Sequence, residues 1–160
     1  MASNPGVADD PLGFTFIGDK QRLARVLLEV RFMIEPQMAS MAAEHATEDQ
    51  IICIRELCDE SQRLAEAGED YSAADTAFHN AIAESCGNLV VPRLMGVLKA
   101  SVPLFIDVTG KKLVEETIRT HRGVADAIEA RNPTAAHDAM YLHLVYNRNM
   151  IAEGAMAKSE

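Results

Sequence analysis

The chain has 160 residues, 48% of them hydrophobic, which is enough for one domain with a sizeable core. Aromatic residues make up only 5% and tryptophan is absent, a composition that suits packed helices better than sheets. A formal net charge of −9 argues against a chain that grips a nucleic-acid backbone by itself.

The N-terminus and the cysteines indicate an intracellular protein. The first ten residues contain neither a basic region nor an apolar core, so no signal peptide is predicted. No apolar run approaches the length of a membrane span. The three cysteines, Cys53, Cys58 and Cys86, are odd in number and fit no CxxC spacing, which favours reduced thiols. We therefore expect a cytoplasmic protein that makes no contact with a membrane.

A leader and a short tail are predicted to flank a single domain. Residues 1–18 are rich in glycine, proline and aspartate, as expected of a leader or linker whose few apolar residues dock on the body. Residues 154–160 are mostly polar or small and are expected to fray. The domain itself is assigned to residues 19–153.

Helical periodicity begins directly after the leader. Apolar residues recur at steps of three and four from about Asp19 to His45, which predicts a first helix. Pro36 is expected to kink or break this helix. Residues 47–50 form a capping box that opens a second helix, and this helix should end near Gly68.

Four more helices are predicted in the rest of the chain. Pro103 should bend or shorten the fourth of the six, and Pro133 stands at the first position of the sixth. No alternating β pattern appears. The sequence therefore predicts an all-α protein, an antiparallel bundle of six to seven helices in one domain. The four later spans are approximately 71–88, 88–106, 113–130 and 132–152.

The third predicted helix carries the residues around which the rest of the chain is organised. Asp75 and His79 stand four apart, so both side chains lie on one face of the helix. Phe78 and Ile82 share that face, which places the pair within an apolar stripe that faces the core. A carboxylate and an imidazole turned inward need partners, because an unpaired buried charge is costly.

The partners that we predict are His121 and His143, on the fifth and sixth helices. Each lies among apolar residues and 11 positions from the turn at Asn132. In an antiparallel hairpin each would therefore lie roughly 16 Å from the turn, at the rise of 1.5 Å per residue. With Asp75 and His79 they form a predicted metal site of three nitrogens and one oxygen. Such a set suits zinc, nickel, iron or manganese and does not select among them.

The remaining histidines and one arginine have different expected roles. His137 points about 120° away from His143 on a helix, and His45 lies at the polar end of its helix, so neither is expected to bind metal. Arg31 lies beside apolar residues on the first helix. It could form a salt bridge with Glu35, four residues on, or act as a fork that receives a ligand carboxylate. The residues alone favour the salt bridge.

Several short motifs resemble those of a known family in their order and spacing. They are E-x-R-x-x-x-E-P at 29–36, Ala-Ala at 42–43, D-x-x-F-H at 75–79, G-N at 87–88, H-x-x-V-x-x-A-I at 121–128, and the late His143-Leu144. Together they resemble the FCD domain, the C-terminal, effector-binding domain of FadR-type regulators in the GntR family of bacterial transcription factors. The resemblance covers about residues 20–152.

The resemblance implies a fold, a site and a function. The fold would be an antiparallel bundle of six or seven helices, usually dimeric, that follows an N-terminal winged helix-turn-helix. In the metal-containing branch an aspartate and three histidines hold a divalent ion, matching Asp75, His79, His121 and His143. We expect zinc, with nickel, iron or manganese as alternatives. Small organic acids bind there through carboxylate oxygens, often with an arginine of the first helix. Arg31 has the matching position, which reverses the preference for a salt bridge alone.

The chain departs from the family pattern at two places. The segment before Asp19 has no room for a winged helix-turn-helix, so DNA binding is expected only through an N-terminal domain absent from this chain. The turn before the last helix reads Arg131-Asn132-Pro133, where the family commonly has Gly-Asp.

We therefore predict an effector-sensing module of a transcription regulator, a homodimer that binds a metal and a small carboxylate and is not an enzyme. One alternative is a metal-dependent hydrolase or lyase in a helical bundle, although HExxH and Glu-x-x-His motifs are absent. Another is a sensor whose metal is purely structural.

Overall fold

Six helices form the part of the protein that the structure, a computed structural model, describes, namely residues 18–98 and 114–156. No strand occurs within these two ranges. The prediction of an all-α helical bundle is confirmed. In chain order the helices are α1 (Lys20–His45), α2 (Glu48–Glu66), α3 (Ser72–Ser85), α4 (Val91–Leu98), α5 (Val114–Glu129) and α6 (Pro133–Met156).

The bundle is organised around its two longest helices, α1 and α6. These two make the most extensive contact between any pair of described helices, and α6 also packs along α5. α2 packs against α3 and α5, while α4 packs mainly on α3. Because α1 touches α3, α5 and α6, side chains on its inner face reach residues from all three.

Helix starts follow the capping signals in the sequence. The side chain of Asp19 accepts a hydrogen bond of 3.0 Å from the backbone N–H three residues on, at the start of α1. Thr47 and Gln50 form the predicted capping box of α2, with hydrogen bonds of 2.9 and 3.2 Å. Asn132 accepts from a backbone N–H at 3.0 Å, and Pro133 is the first residue of α6. Each cap satisfies a backbone donor that the helix itself leaves unpaired.

Pro36 lies inside α1 without ending it. The sequence predicted a kink or a break there, but the helix is continuous from Lys20 to His45, so a break is wrong. A proline within a helix costs about 3 kcal/mol, because it removes one backbone hydrogen bond and crowds the preceding turn. The helix persists because residues on both sides of Pro36, among them Glu35 and Met38, are buried in the bundle.

One apolar cluster runs through the bundle and includes residues from all six helices. Within this core lies a group of buried polar side chains from α1, α3, α5 and α6. Burying polar groups is favourable only where they find partners, so this group marks the part of the fold with the strictest requirements. Its members are Arg31, Glu35, Asp75, His79, Thr120, His121, His143 and Asn147.

Some predictions concern residues outside the described ranges. The docking of the leader, the continuation of the fourth helix to Ile106 and the bend at Pro103 all fall there. α6 continues to Met156, four residues beyond its predicted end at Ala152. Among the helices of residues 18–98 and 114–156, none combines the length and the apolar character needed to cross a bilayer.

Two isoleucines of α2 provide a matched test of the fold. Ile54 is 1% exposed and Ile52 is 55% exposed. We expect Ile54→Ala to lower the free energy of unfolding by about 2–5 kcal/mol, because it leaves a cavity in the core. Ile52→Ala should change it by less than about 0.5 kcal/mol. Urea denaturation followed by circular dichroism measures both, and equal losses would contradict the orientation of α2.

Candidate metal centre

Three histidine side chains meet at the centre of the bundle. His79 comes from α3, His121 from α5 and His143 from α6, and they are 1%, 1% and 4% exposed. One ring nitrogen from each lies within 4.8 Å of those of the other two. The three ring centroids are 4.5–5.4 Å apart. The structure thus brings together three of the four residues that the sequence suggests as metal ligands.

The α5–α6 hairpin places His121 beside His143. Both are 11 residues from Asn132, and their ring centroids are 4.5 Å apart. The turn contains Arg131 at a φ of 54°, a left-handed conformation that is uncommon for residues other than glycine. The guanidinium of Arg131 donates a hydrogen bond to the backbone carbonyl of Ala46, which ties the turn to the loop between α1 and α2. This contact stabilises the turn of the α5–α6 hairpin, in which the two histidines lie side by side.

Asp75, the fourth suggested ligand, lies beside two of the histidines. Its Oδ1 is 3.5 Å from Nδ1 of His121, and its Oδ2 is 4.0 Å from Nε2 of His79. The residue is 5% exposed, and burial raises the pKa of its carboxyl group. Asp75 therefore adjoins the three nitrogens, one helical turn before His79 on α3.

Four buried polar atoms of this cluster have no hydrogen-bond partner. They are Oδ1 of Asp75, both ring nitrogens of His121, and Nδ1 of His79, which lies close to the Glu35 carboxylate but outside hydrogen-bond geometry. Each such atom costs about 1–3 kcal/mol when it is left unpaired. A divalent ion fits the group, because nitrogens bound to one zinc at about 2.0–2.1 Å lie at most ~4.2 Å apart. Small side-chain shifts would bring the three histidines to that spacing.

His121 and His143 have the protonation state that a metal ligand needs. Burial, together with the neighbouring histidines and the positive charge of Arg31, lowers the pKa of both imidazoles well below the ordinary value. Both rings are therefore neutral at pH 7. A neutral imidazole retains the lone pair that binds a metal.

Arg31 and Glu35 form a buried ion pair that reaches the histidines. Arg31 is 2% exposed and Glu35 is 0% exposed. Nε of Arg31 donates to Oε1 of Glu35 at 2.5 Å, and Nη2 donates to Oε2 at 3.1 Å. Nη2 also lies 3.4 Å from Nε2 of His79. The two roles considered for Arg31 are therefore compatible, since a guanidinium paired with Glu35 also lies against the histidine cluster.

Glu35 is a member of the cluster that the sequence reasoning did not identify as such. Its Oε2 lies 3.0 Å from Nδ1 of His79. Burial alone would raise the pKa of Glu35, but the positive charge of Arg31, with a contribution from the nearby His79, holds it well below its usual range. The available signal was an ionisable residue within the buried stripe of α1, directly before Pro36. Sequence spacing alone indicates a salt bridge to Arg31 and a place in the motif at 29–36, and it does not indicate the contact with His79.

Two further polar residues contact His143. The hydroxyl of Thr120 is 3.1 Å from Nδ1 of His143, and Nδ2 of Asn147 is 3.2 Å from its Nε2. Asn147 lies four residues after His143, and helical periodicity does place it on the same face. Thr120 precedes His121 in the sequence and carries no comparable signal.

The other two histidines lie at the surface. The side chain of His137 is 42% exposed, and its Nδ1 lies 3.0 Å from the carboxylate of Asp138. The side chain of His45 is 52% exposed. Its ring packs beneath Gly87, where an added Cβ would come within 3.1 Å of the imidazole. Neither residue belongs to the buried group of three.

Comparison with known proteins places this bundle in a family. Residues 26–146, about three quarters of the chain, match the family model of the FCD domain. The chain belongs to the FCD domain family. The suspected resemblance is therefore confirmed for the fold and for the family of GntR-type regulators.

The relatives of this FCD domain are transcription regulators. The HTH-type transcriptional regulator LutR of Bacillus subtilis is 30% identical over 78% of the chain and 60% of its own length. The uncharacterized HTH-type transcriptional regulator YcbG of the same organism is 27% identical over 80% of the chain and 54% of its own length. A solved structure, Streptococcus agalactiae GntR, superposes with a TM-score of 0.78 at 33% identity, covering 93% of this chain and 69% of that one.

These similarities favour a domain of a transcription regulator over a metal-dependent enzyme. The FCD domain described here is the effector-binding type of domain found in GntR-family regulators, and the prediction that it is not an enzyme is confirmed by its relatives. The chain spans little more than half the length of the curated relatives above.

The buried pair on α1 should be a major determinant of stability. We expect Glu35→Gln to lower the free energy of unfolding of chelator-treated protein by about 3 kcal/mol, because it leaves the buried charge of Arg31 without a counter-charge. Glu60→Gln is the matched control, since Glu60 pairs with Arg63 on the exposed surface of α2. Its denaturation midpoint should stay at the wild-type value. Similar midpoints for both variants would contradict the importance of the buried pair.

Proposed function

We propose that this FCD domain binds one divalent metal ion through His79, His121, His143 and Asp75, and that it senses a small carboxylate effector at that ion. The observation that carries the proposal is the convergence of three buried imidazoles whose ligand nitrogens lie within 4.8 Å of one another. The unpaired buried atoms of Asp75 and His121 support it, because a cation would satisfy Oδ1 of Asp75 and the ring nitrogen of His121 that carries the lone pair.

The donor set restricts the class of metal. Three imidazole nitrogens and one carboxylate oxygen suit zinc, which we place first, and also nickel, iron and manganese. A bound ion would supply the positive charge on which an effector carboxylate can be held. Calcium and magnesium prefer sites made of oxygen, so this histidine-rich set disfavours them.

Arg31 is the residue that we assign to the effector. Its Nη2 lies 3.4 Å from Nε2 of His79, at the edge of the proposed metal site. A guanidinium presents its donors in a planar fork that matches a carboxylate. Arg31 lies on α1, whereas the proposed metal ligands lie on α3, α5 and α6. A carboxylate that contacts both the ion and Arg31 would therefore link α1 to the other three helices.

This link gives a route from effector binding to DNA binding. We expect a cytoplasmic homodimer in which an N-terminal DNA-binding domain precedes α1, as the names of the HTH-type relatives suggest for those proteins. An effector that binds better to one arrangement of α1 shifts the population toward that arrangement. The spacing of two DNA-binding domains would change with it.

A structural metal remains a distinct candidate, because the proposed ligands are only 1–5% exposed. Structural zinc sites are closed and take four protein ligands, whereas a sensing site must accept a further ligand from outside. The two candidates make the same prediction for metal content. They make opposite predictions for carboxylate binding.

Metal content is the first measurement. Purified wild-type protein reloaded with zinc and desalted should contain about one ion per chain by mass spectrometry of the metal, as a single four-ligand site requires. We expect His79→Ala and His143→Ala to lose the ion. His137→Ala is the control with the same chemical change at the surface, and it should keep the wild-type content. Wild-type protein that holds no zinc or nickel after reloading would contradict the proposed site.

Carboxylate binding separates sensing from a purely structural metal. We expect at least one acid among acetate, malonate and citrate to raise the melting temperature of zinc-loaded protein and to leave chelator-treated protein unchanged. Arg31→Lys keeps the charge beside Glu35 but loses the bidentate fork. It should therefore weaken binding of that acid by about tenfold or more, while the zinc content stays unchanged.

The control for the arginine is Arg25→Lys, on the exposed face of the same helix. It should bind the acid as wild type does. Equal binding of the acid to zinc-loaded and chelator-treated protein would contradict an effector site at the metal. An unchanged affinity in Arg31→Lys would contradict the role of Arg31.

A further inference from the structure

Thr120 has a hydrogen-bond arrangement that constrains the histidine beside it. Its hydroxyl oxygen lies 2.7 Å from the backbone carbonyl of Glu116 and 3.2 Å from that of Thr117. It also lies 3.1 Å from Nδ1 of His143, on the neighbouring helix. Thr120 is 3% exposed, so none of these contacts is exchanged freely with water.

The contacts determine which atom carries each proton. A hydroxyl has a single hydrogen, and a carbonyl oxygen can only accept. Two oxygens 2.7 Å apart without a proton between them would repel each other, so the hydrogen of Thr120 must point at the carbonyl of Glu116. The hydroxyl oxygen is then left to accept. Its contact with His143 is favourable only if Nδ1 of that ring bears a proton.

We propose that Thr120 is a positioning residue for the metal centre: its hydroxyl holds His143 as the Nδ1–H tautomer and thereby makes Nε2 the atom that binds the ion. This inference rests on the proposed function, because it assigns a role toward the proposed ion. Thr120 itself contributes no ligand atom.

Asn147 agrees with this assignment. Its amide nitrogen is 3.2 Å from Nε2 of His143. An amide N–H can only donate, so Nε2 must carry the lone pair in this arrangement. Two independent neighbours, one on α5 and one on α6, therefore require the same tautomer. An ion at Nε2 would take the lone pair that accepts from Asn147, so the Asn147 amide would turn aside on metal binding while Thr120 keeps its contact with Nδ1.

A comparable arrangement exists at a second histidine. Nδ1 of His79 lies 3.0 Å from the carboxylate of Glu35, which favours a proton on Nδ1 although the contact lacks full hydrogen-bond geometry, and this leaves the lone pair on Nε2. Outer partners of metal-bound histidines commonly fix the tautomer and the ring orientation, and their removal weakens metal binding by about 10- to 100-fold. For His143 that partner is a hydroxyl locked as an acceptor by its own helix.

The experiment compares three substitutions in zinc-binding assays. Thr120→Val keeps the shape of the side chain and removes the hydroxyl, whereas Thr120→Ser keeps the hydroxyl. Thr76→Val is the matched control, because the hydroxyl of Thr76 on α3 makes the same kind of bond to its own helix, 2.8 Å to the carbonyl of Ser72. Zinc affinity is measured at pH 7.5 by competition with a chromophoric chelator, and cobalt substitution reports ligand geometry by visible absorption.

We expect Thr120→Val to weaken zinc binding by about 10- to 100-fold and to change the cobalt spectrum. Thr120→Ser should restore both properties, and Thr76→Val should match the wild type. Wild-type affinity in Thr120→Val would overturn the inference. So would a loss in Thr120→Ser as large as that in Thr120→Val, or an equal loss in Thr76→Val.

A second measurement does not depend on metal binding. Two-bond proton–nitrogen correlation spectra of chelator-treated protein, with ¹⁵N-labelled histidine and His143→Gln for assignment, report which ring nitrogen is protonated. We expect His143 to show a protonated Nδ1 and an unprotonated Nε2. The opposite tautomer would overturn the inference even if the variants failed to fold. Wild-type protein that takes up no zinc but shows the expected tautomer would overturn the proposed metal site and with it the role of Thr120 toward an ion.

Discussion

The paired charges of Arg31 and Glu35 are the interaction on which the centre of this domain depends. Moving either charge alone into the core would cost several kcal/mol, and their mutual contacts offset part of that cost. The pair lies next to Pro36, so the same short stretch of α1 carries both a helix-weakening residue and two buried charges. That stretch is kept helical by the packing of α1 against α3, α5 and α6.

The charges around the pair give the cluster its character. His121 and His143 are neutral because burial and nearby positive charge lower their pKa values. Burial raises the pKa of Asp75, and a bound cation would favour its ionised form. With Asp75 ionised and His79 neutral, the charges of Arg31, Glu35 and Asp75 sum to −1. A buried region with net negative charge and several unpaired lone pairs favours a cation over an anion. This charge balance and the donor atoms together support the proposed metal site.

Much of this architecture can be predicted from the sequence, and the reasons for success and failure are physical. The helices could be found because apolar residues recur with helical periodicity and because Thr47 and Asn132 cap their helices locally. The approach of His121 and His143 could be predicted because both lie the same number of residues from the turn of an antiparallel helical hairpin, which places them side by side.

The roles of Glu35 and Thr120 in the cluster could not be predicted from the sequence. Their roles depend on contacts with His79 and His143, which are remote in the sequence and are set by tertiary packing. The persistence of α1 through Pro36 is likewise a tertiary effect, since the local rule alone predicts a kink or a break.

The burial of the cluster has a kinetic consequence. Arg31, Asp75 and the three histidines are all 1–5% exposed. A solute can reach them only when helices move apart for a moment, so its arrival is gated by an opening motion of the bundle. Both binding and release should then be slower than for an open cleft. If the domain senses an effector at this cluster as proposed, it would respond to the lasting presence of a compound more than to a brief pulse.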